Sequence, residues 1–401
     1  MKILYFYLSL IVIILFILCF IGCLVEIEKT TALGDPLFGL TRQQLLQFCD
    51  GKAIFDKEFT QETGLGPLFN ASKCGECHES PVLGGVGDEM ELHATKFTLS
   101  QIDRISSLCD PLFKEGGFVI QQHATPLLQA HGIMREELPR SSTNHGFRST
   151  PPLFGLGLVD AIPEATILEN EDPNDIDHDG ISGKANRTSD RRVGKFGRKA
   201  QVATLLEFNT GAFNAEQSIT TPLNPIEETI NGVPVPPDTD PVIDPEISNR
   251  DIQRTNTFVQ FLAPSPVLQV NDQSEAKKIK LGRNIFRTLK CVTCHIEELK
   301  TGPSNIEALN RKKVALYSDL LLHDMGLNLS DICLEQALPS EFRTEMLWGL
   351  RFRTKFLHDG RADSVRMAID LHAGEAQRSR NAFNNLTEQQ KQALLKFLGT
   401  I

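Results

Sequence analysis

The stretch Cys291-Val292-Thr293-Cys294-His295 decides how the rest of this sequence is interpreted. Its pattern, C-x-x-C-H, occurs a second time at Cys74-Gly75-Glu76-Cys77-His78. C-x-x-C-H is the attachment signature of a c-type haem: the two thiols bond covalently to the ring, and the histidine ligates the iron. Two copies therefore predict two covalently bound c-type haems, with His78 and His295 as iron ligands.

A zinc site and a redox dithiol are the alternatives for paired cysteines. Zinc modules place their two Cys pairs about 15–20 residues apart, whereas more than two hundred residues separate Cys77 from Cys291. Neither alternative explains why a histidine follows both pairs directly. The haem interpretation is therefore favoured.

Composition and charge narrow the class of protein. The chain has 401 residues, enough for two or three domains, and its 41% of hydrophobic residues is ordinary for a globular protein. The formal net charge is −10. Because an acidic surface repels phosphates, this charge argues against nucleic acid as a partner.

The N-terminus predicts export. Lys2 is followed by an uncharged run from Ile3 to Val25, which is long enough to span a bilayer. A retained membrane helix, a cleaved signal peptide and a lipoprotein signal at 1–23 are all compatible with this run. Phe20-Ile21-Gly22-Cys23 resembles a lipobox, although Phe20 is bulkier than the usual residue. We expect an exported, periplasmic protein attached to the membrane through its N-terminus, either by lipid on Cys23 or by an uncleaved helix.

Five cysteines lie outside the haem motifs. Cys19 falls in the signal, and Cys23 is the lipobox cysteine. Cys49, Cys109 and Cys333 remain, and in an oxidising compartment one pair of them could form a disulfide. The sequence does not identify the pair, and buried free thiols are the alternative.

Apolar periodicity predicts a mainly α fold with long loops and little sheet. Helical spacing predicts helices over 41–59 and 274–286, each leading into a C-x-x-C-H motif. Thr387 opens a capping box, which predicts the start of a C-terminal helix that packs on the first helix of its lobe. We predict cytochrome c-like domains at 36–215 and 251–401, joined by an extended, Pro-rich acidic connector at 216–250.

A weak internal repeat suggests that the two haem domains face each other. In each lobe an arginine is followed by Leu, an aromatic residue, Gly and Leu, at 148–156 and at 343–350.

An Asp-rich loop is a candidate Ca²⁺ site. Asp175, Asp177 and Asp179 alternate and are followed by Gly180, which suits a sharp turn around the ion. Asn186 stands at the twelfth position, where a bidentate acid is expected. A solvated Asp-rich turn is the alternative.

Five segments of the sequence closely resemble the di-haem oxidoreductase, putative peroxidase family, which is also labelled thiol oxidoreductase. The family is distantly related to bacterial di-haem cytochrome c peroxidases, and the resemblance extends from about Pro36 to the end of the chain. The segments are FRSTPPLFGLGLVDAIPEATI (147–167), DPNDIDHDGISGKANR (172–187), CVTCH (291–295), YSDLLLHDMG (317–326) and RFRTKFLHDGRADSVRMAIDLHAGEA (351–376).

For the second haem, the resemblance implies an electron-entry site whose iron has two protein ligands. In the peroxidases the second ligand follows a Phe-His-Asp-Gly segment, and here that offset leads to His372. Met325 is the alternative. His323 and His358 lie in loops that flank this haem in the relatives, and Arg343, like Arg148, is a candidate partner for the haem propionates.

For the first haem, the resemblance implies peroxide reduction at an open iron position. A residue on the far side of the ring must then move a proton between the peroxide oxygens. Glu164 and His145 are the main candidates, and His123 and His131 are further ones. The peroxidases also carry an inter-haem Trp relay, whereas Trp348 lies in the second repeat and the matching part of the first lobe has none.

Two functions follow from these observations. The first is a peroxidase-like oxidoreductase that receives electrons from a redox partner protein and reduces hydrogen peroxide. The second is an electron-transfer cytochrome in which both haems have two protein ligands. Oxidation of a thiol or protein substrate is a family label that no residue here supports.

Overall fold

The computed structural model describes residues 32–99, 107–227 and 229–401. Helix makes up 33% of the chain and strand 14%, which confirms the predicted mainly α class. The export segment at 1–23, with Cys19 and Cys23, lies outside the described residues, and its role stays a prediction. Within the described ranges, no helix is both long enough and apolar enough to cross a membrane.

Short helices and strands are joined by long irregular segments. In chain order the helices are α1 (Arg42–Phe55), α2 (Cys74–Cys77), α3 (Pro126–Ala130), α4 (Leu156–Asp160), α5 (Glu164–Leu168), α6 (Leu205–Gln217), α7 (Asn249–Phe261), α8 (Gln273–Thr288), α9 (Val365–Leu371), α10 (Gln377–Asn384) and α11 (Glu388–Leu398). The strands are β1 (Leu68–Phe69), β2 (Met90–Leu99), β3 (Ser107–Asp110), β4 (Val119–Ile120), β5 (His123–Ala124), β6 (Asn144–Ser149), β7 (Thr229–Ile230), β8 (Val233–Pro234), β9 (Leu299–Lys300), β10 (Lys313–Val314), β11 (Leu322–Asp324) and β12 (Glu341–Arg343).

Two pairs of long helices organise the fold. Helix α1 packs along α7, where Phe48 and Phe55 lie 5.1 and 5.0 Å from the ring of Phe258. Helix α8 packs along α11, where the rings of Phe286 and Phe397 lie 5.6 Å apart. The terminal helix α11 therefore packs on α8, the helix that leads into the second motif, whereas α7, the first helix of the predicted lobe 251–401, packs on α1.

Capping boxes fix the starts of α1 and α11. The side chain of Thr41 accepts a hydrogen bond from the backbone N–H of Gln44, whose side chain accepts one from Thr41 in return. Thr387 and Gln390 repeat this arrangement at α11, as the sequence predicts. Each Thr cap contributes about 1 kcal/mol to helix stability.

The two ends of the Pro-rich segment 216–250, which the sequence predicts to be an extended connector, meet each other and pack on the first lobe. Ile247 joins a buried cluster with Phe59 and Phe213. The backbone N–H of Ile247 also donates to the carbonyl of Thr220, at 3.3 Å. Burying these apolar side chains is more favourable than leaving them in water, so the segment folds back on its own lobe.

Strand β2 is the centre of a small antiparallel sheet. It pairs with β3 through its C-terminal half and with β4 and β6 through its N-terminal half. The register places Glu91 opposite Arg148 and His93 opposite Gly146. Because strand side chains alternate between faces, Glu91 and His93 share one face of the sheet.

A loop of the second lobe is fastened to this sheet. Cys333 forms a disulfide with Cys109 of β3, which assigns the pair that the sequence left open. The backbone N–H of Cys333 also donates to the hydroxyl of Thr95, at 3.2 Å. The disulfide joins positions 224 residues apart; in the chain-entropy model, a loop of that length stabilises the fold by roughly 5 kcal/mol.

The two copies of the internal sequence repeat, at 148–156 and 343–350, adopt equivalent turns in the structure. Arg148 and Arg343 lie near the ends of β6 and β12, and each strand leads to a glycine that begins a helical turn. These glycines, Gly155 and Gly349, have φ of +77° and +72°, a conformation that favours glycine. The indole of Trp348 packs directly on Gly155. A Cβ at position 155 would lie only 2.9 Å from the indole, so the contact leaves no room for a side chain there.

Gly282 sets how closely α8 approaches α11. A Cβ at this position would lie 2.0 Å from the carbonyl oxygen of Ala393 and 2.8 Å from the Cβ of Phe397. We expect Gly282→Ala to destabilise the holoprotein by roughly 1–3 kcal/mol in urea denaturation, because the helices must move apart. The control is Gly211→Ala in α6, where an added Cβ meets nothing within 4 Å and the higher helix propensity contributes up to about 1 kcal/mol. Equal unfolding midpoints for the two variants would contradict this contact.

Candidate haem sites

One cavity contains both cysteines of the second motif and its histidine. It is lined by Cys291, Cys294 and His295, and also by His372, the residue that follows α9. The remaining wall is largely apolar. Its apolar side chains include Phe286, Leu289, Leu350, Val365, Ile369, Phe383, Leu394 and Leu398. An apolar wall of this kind, with a few polar groups, suits a flat porphyrin ring.

His295 and His372 are presented as neutral ligands. Nδ1 of His295 donates to the carbonyl of Tyr317 at 2.9 Å, and Nδ1 of His372 donates to that of Ala368 at 2.7 Å. Burial lowers the pKa of His295 to about 4 and also lowers the pKa of His372. Both Nε2 atoms are therefore unprotonated, as an iron ligand requires.

Met325 and His323, which the sequence places near the second haem, also line this cavity. Met325 lines it and stays the alternative second ligand. Nδ1 of His323 lies 2.7 Å from Glu375, and its Nε2 lies 2.8 Å from Asp319. Although burial opposes the charge, Cys294 and these carboxylates raise the pKa of His323 well above its usual value. Cys294, Asp319 and His323 also place one ligand atom each within 4.8 Å of one another.

Guanidinium groups form part of the cavity wall. Arg198, Arg343 and Arg353 share one carboxylate, that of Glu345, at 2.8, 3.2 and 3.0 Å. Although burial opposes it, the three cations lower the pKa of Glu345 to about 2. Three buried cations beside one anion leave an excess of positive charge that the carboxylates of a haem would neutralise. The residues present therefore fit a haem, and Arg198 and Arg353 join Arg343 in the predicted role.

A second buried charge cluster surrounds Asp331. Arg148 of β6 donates to its carboxylate, and Lys199 lies 3.1 Å from it. His358, which lines the cavity, lies 3.4 Å from the same carboxylate. Nη2 of Arg148 is buried without a hydrogen-bond partner. Such an atom is suited to an additional anion or water, which agrees with the predicted propionate role of Arg148.

The first motif presents its histidine in the same way as the second. Nδ1 of His78 lies 3.1 Å from the carbonyl of Gly85, and burial lowers the pKa of His78. Burial also raises the pKa of all four motif thiols, to about 12 for Cys74 and Cys291. A reactive redox dithiol needs a lowered thiol pKa, and these four thiols have the opposite shift.

Two titratable side chains of β2 lie beside the first motif. Nε2 of His93 lies 3.1 Å from the carboxylate of Glu91. Although burial opposes it, this contact and the nearby His78 lower the pKa of Glu91. Nδ1 of His93 is buried without a hydrogen-bond partner. No motif in the sequence marks this pair, since Glu91 and His93 belong to a strand outside both C-x-x-C-H segments.

The proton-transfer residues predicted from the sequence lie elsewhere. Glu164 begins the short helix α5, and His145 is exposed on β6. His123 and His131 are exposed as well. Among the described residues, none of these four is hydrogen-bonded, ion-paired or ring-stacked with the first motif. Their catalytic roles stay predictions.

Glu136 is a further buried acid of the first lobe. Its carboxylate accepts the backbone N–H of Gln121 at 3.0 Å, and its other oxygen is buried without a partner. Burial raises the pKa of Glu136 to about 7. The group can therefore carry a proton near neutral pH.

The Asp-rich loop brings three carboxylates together, but not the three predicted. Asp172, Asp175 and Asp177 place their oxygens within 4.8 Å of one another, and Asp179 is not in this group. Asn186 is buried and donates to two backbone carbonyls, so it is not a ligand. Asp172 was missed because it precedes the loop pattern.

Comparisons with known proteins point to haem as well. A model of the family described as "Di-haem oxidoreductase, putative peroxidase" matches residues 81–401, which include the second motif and begin just after the first. A search of curated proteins gave no match.

Two solved structures resemble the chain. Hydrazine synthase from Kuenenia stuttgartiensis, pressurised with xenon, shares 13% identity, with 94% of this chain and 98% of that chain covered and a TM-score of 0.42. A MauG-like protein associated with microbial copper homeostasis shares 14% identity, with 93% and 94% covered and a TM-score of 0.39. These scores are too low to support an argument about this protein.

The cavity and the family match together define a haem-binding redox protein. More specifically, the chain belongs to the di-haem oxidoreductase family. Membership implies haem cofactors, for which the two C-x-x-C-H motifs are the attachment candidates.

Asp331 pairs with the buried side chains of Arg148 and Lys199, so its replacement should lower the free energy of unfolding. In Asp331→Asn, Arg148 and Lys199 stay buried without this carboxylate, so we expect a loss of roughly 3–5 kcal/mol in chemical denaturation of the holoprotein. Asp238→Asn is the control, since it breaks an exposed contact with His131 and should cost less than about 1 kcal/mol. A similarly small loss in Asp331→Asn would contradict the role given to this carboxylate.

Proposed function

We propose that the protein is an exported di-haem c-type cytochrome with peroxidase-like oxidoreductase activity. Each C-x-x-C-H motif holds one haem covalently. Electrons enter at the second site, and hydrogen peroxide is reduced at the first. The observation that carries the proposal is the single cavity in which His295 and His372 both present an unprotonated Nε2.

Two histidine ligands suit the second site to electron transfer. When bound, haem supplies one-electron redox chemistry. Ligands on both sides of an iron leave no open position for peroxide, so such a site passes electrons without reacting with the substrate. The carbonyls of Tyr317 and Ala368 hold the two imidazoles in the required tautomer. The guanidinium of Arg343 and its neighbours balance the charge of the propionates.

At the first site, Glu91 and His93 are suited to move protons. Reduction of hydrogen peroxide to two waters consumes two electrons and two protons, so a proton route must reach the site. Glu91 and His93 share a hydrogen bond beside His78, and the buried Nδ1 of His93 lacks a protein partner. That nitrogen can hold a water or a peroxide hydroxyl. Glu164 and His145 are the alternatives that the sequence favours.

We further propose that two cytochrome c-like lobes face each other, with boundaries near 36–262 and 263–401. Helix α7 packs on α1, so it belongs with the first lobe rather than the second. The segment 149–152 of the first lobe lines the cavity of the second motif. Trp348 packs on Gly155 close to this contact, which suits it to the electron path between the sites.

Replacement of His372 tests the ligation of the second haem. We expect His372→Ala to convert one of the two ferric haems from low spin to high spin in electron paramagnetic resonance, because an iron position opens. Met325→Ala is the control and should leave that haem low spin. If Met325→Ala alone removes the low-spin signal, the ligand is Met325.

Replacement of Glu91 tests peroxide reduction. We expect Glu91→Gln to lower the rate of peroxide turnover by about 10²- to 10⁴-fold, because a positioned proton donor is lost. Haem content and absorption should not change. The matched variant Glu164→Gln should keep its activity. If Glu164→Gln instead loses activity and Glu91→Gln keeps it, the proton donor is Glu164. A wild-type protein with two low-spin haems and no turnover would leave only the electron carrier.

Calcium binding is a separate proposal for Asp172, Asp175 and Asp177. Their clustered carboxylates suit a hard cation, although Asp175 and Asp177 also accept backbone N–H groups of the loop. Calorimetric titration of chelator-treated protein with Ca²⁺ tests it. If Ca²⁺ produces neither heat nor a change in melting temperature, these carboxylates do not bind it.

Membrane attachment in the periplasm is likewise proposed from the N-terminal sequence. Incorporation of a radiolabelled fatty acid that is lost in Cys23→Ala would support a lipoprotein. Without such label, the cleaved signal peptide and the uncleaved helix remain.

A further inference from the structure

The surface of α8 carries a run of positive charge that the chemistry proposed above does not use. From Lys277 to Lys290 the chain has six cationic side chains and no acidic one, although the net charge of the protein is −10. The six are Lys277, Lys278, Lys280, Arg283, Arg287 and Lys290, and all are exposed. At 1.5 Å per residue, the run extends over roughly 20 Å.

The centre of this run lies on the side of α8 that faces away from the core. Gly282, Ile285 and Phe286 are the buried residues of the helix. With 3.6 residues per turn, Lys280 and Arg287 fall on the opposite side. The charges are therefore presented to solvent rather than to α11.

Neighbouring acids neutralise only part of the charge. Arg283 and Arg287 share the carboxylate of Glu297, which lies 2.7 Å from each. Lys278 shares the carboxylate of Glu275 with a lysine of α11. In both cases two cations meet one anion, so the surface keeps a net positive charge.

The run ends at the second haem motif. Lys290 has a left-handed φ of +64° directly before Cys291, and it lines the haem cavity. Cys291 and Cys294 are only partly buried. The attached edge of a haem would therefore come close to the surface beside the last cation of the run.

The first motif has the opposite surroundings. Five exposed acids near Cys74–His78 outnumber the two nearest lysines, Lys57 and Lys73, of which Lys73 pairs with Asp56; the acids are Asp56, Glu58, Glu79, Asp88 and Glu89. Asp56 lies against Gly75, and the charge of Glu89 acts on Cys77. An acidic partner is attracted to the second motif and repelled from the first, since like charges disfavour association.

We infer that the exposed face of α8 is the docking surface for an electron-transfer protein with an acidic surface, which exchanges one electron with the second haem. This inference rests on the proposed role of that haem as the electron-entry site. Electrostatic steering raises association rates by 10- to 10³-fold and weakens as salt increases. An anionic membrane is the less favoured occupant, because Leu281 is the one large exposed apolar side chain of α8 and surface-bound helices need a broad apolar face.

Stopped-flow mixing with two redox proteins of opposite charge tests the inference. The fully reduced holoprotein is mixed with oxidised plastocyanin, an acidic copper protein, or with oxidised mitochondrial cytochrome c, a basic one. In each reaction one electron leaves the ferrous second haem, which becomes ferric, and reduces the Cu(II) or Fe(III) of the partner. We expect the rate with plastocyanin to fall steeply as salt increases, and the rate with cytochrome c not to fall.

Charge reversal on α8 locates the surface. We expect Lys277→Glu/Lys280→Glu to slow the plastocyanin reaction at low salt by about 10-fold or more and to weaken the binding of Cu(I) plastocyanin to the ferrous protein in sedimentation. The control, Arg42→Glu/Lys52→Glu, makes the same charge change at exposed positions of α1 and should leave both quantities near wild type. Haem absorption should be the same in all three proteins.

Three outcomes would overturn the inference or its basis. Equal, salt-independent rates with both partners would exclude docking on α8 and leave electron transfer at the second haem intact. Electron transfer to neither partner, with normal haem spectra, would instead contradict the proposed function. If the α8 variant loses binding to phosphatidylglycerol vesicles but reacts normally with plastocyanin, the surface binds lipid.

Discussion

The burial of Asp331 among cations is the constraint on which the interior between the two haem motifs depends. Arg148 comes from the sheet of the first lobe, and Lys199 comes from the segment before α6. Burial lowers the pKa of Lys199 well below its usual value, and the carboxylate of Asp331 compensates charge at Arg148 and Lys199, since an uncompensated charge in the interior costs several kcal/mol. The loop that carries Asp331 is held in place by the disulfide from Cys333 to Cys109. One anion and one covalent bond thus join the loop of Asp331 and Cys333 to the sheet around β2.

The same hydrogen-bonding arrangement holds each of the three candidate iron ligands. His78, His295 and His372 all direct Nδ1 to a backbone carbonyl, and burial lowers the pKa of all three. A carbonyl can only accept a hydrogen bond, so it fixes the tautomer and leaves Nε2 as the unprotonated nitrogen. The arrangement exists in the protein itself, and in the cavity it holds both His295 and His372 in the form that an iron ligand would need.

Charge is distributed unequally, and the net value of −10 hides this. Inside, Arg198, Arg343 and Arg353 exceed the single carboxylate of Glu345, which suits an anionic cofactor edge. Outside, α8 is basic beside the second motif, whereas the surroundings of the first motif are acidic. The two sites therefore differ in the partners that they attract, although their histidines are held alike.

The sequence by itself determined the features that depend on neighbouring residues. The two motifs, the helix over 274–286 and the capping box at Thr387 all follow from local spacing, because capping and periodicity involve only a few adjacent positions. The resemblance also led to His372, which lines the same cavity as His295 and whose role as a ligand stays a prediction. Each of these features lies in the structure where the sequence placed it.

Only the tertiary structure decided which distant residues meet. It paired Cys109 with Cys333, buried Ile247 of the Pro-rich segment against Phe59 and Phe213, and brought Glu91 and His93 to His78. It also joined Arg198 and Arg353 to the cavity wall. No local pattern encodes such contacts, since they arise from the burial of apolar surface and from the need to compensate buried charge across the whole chain.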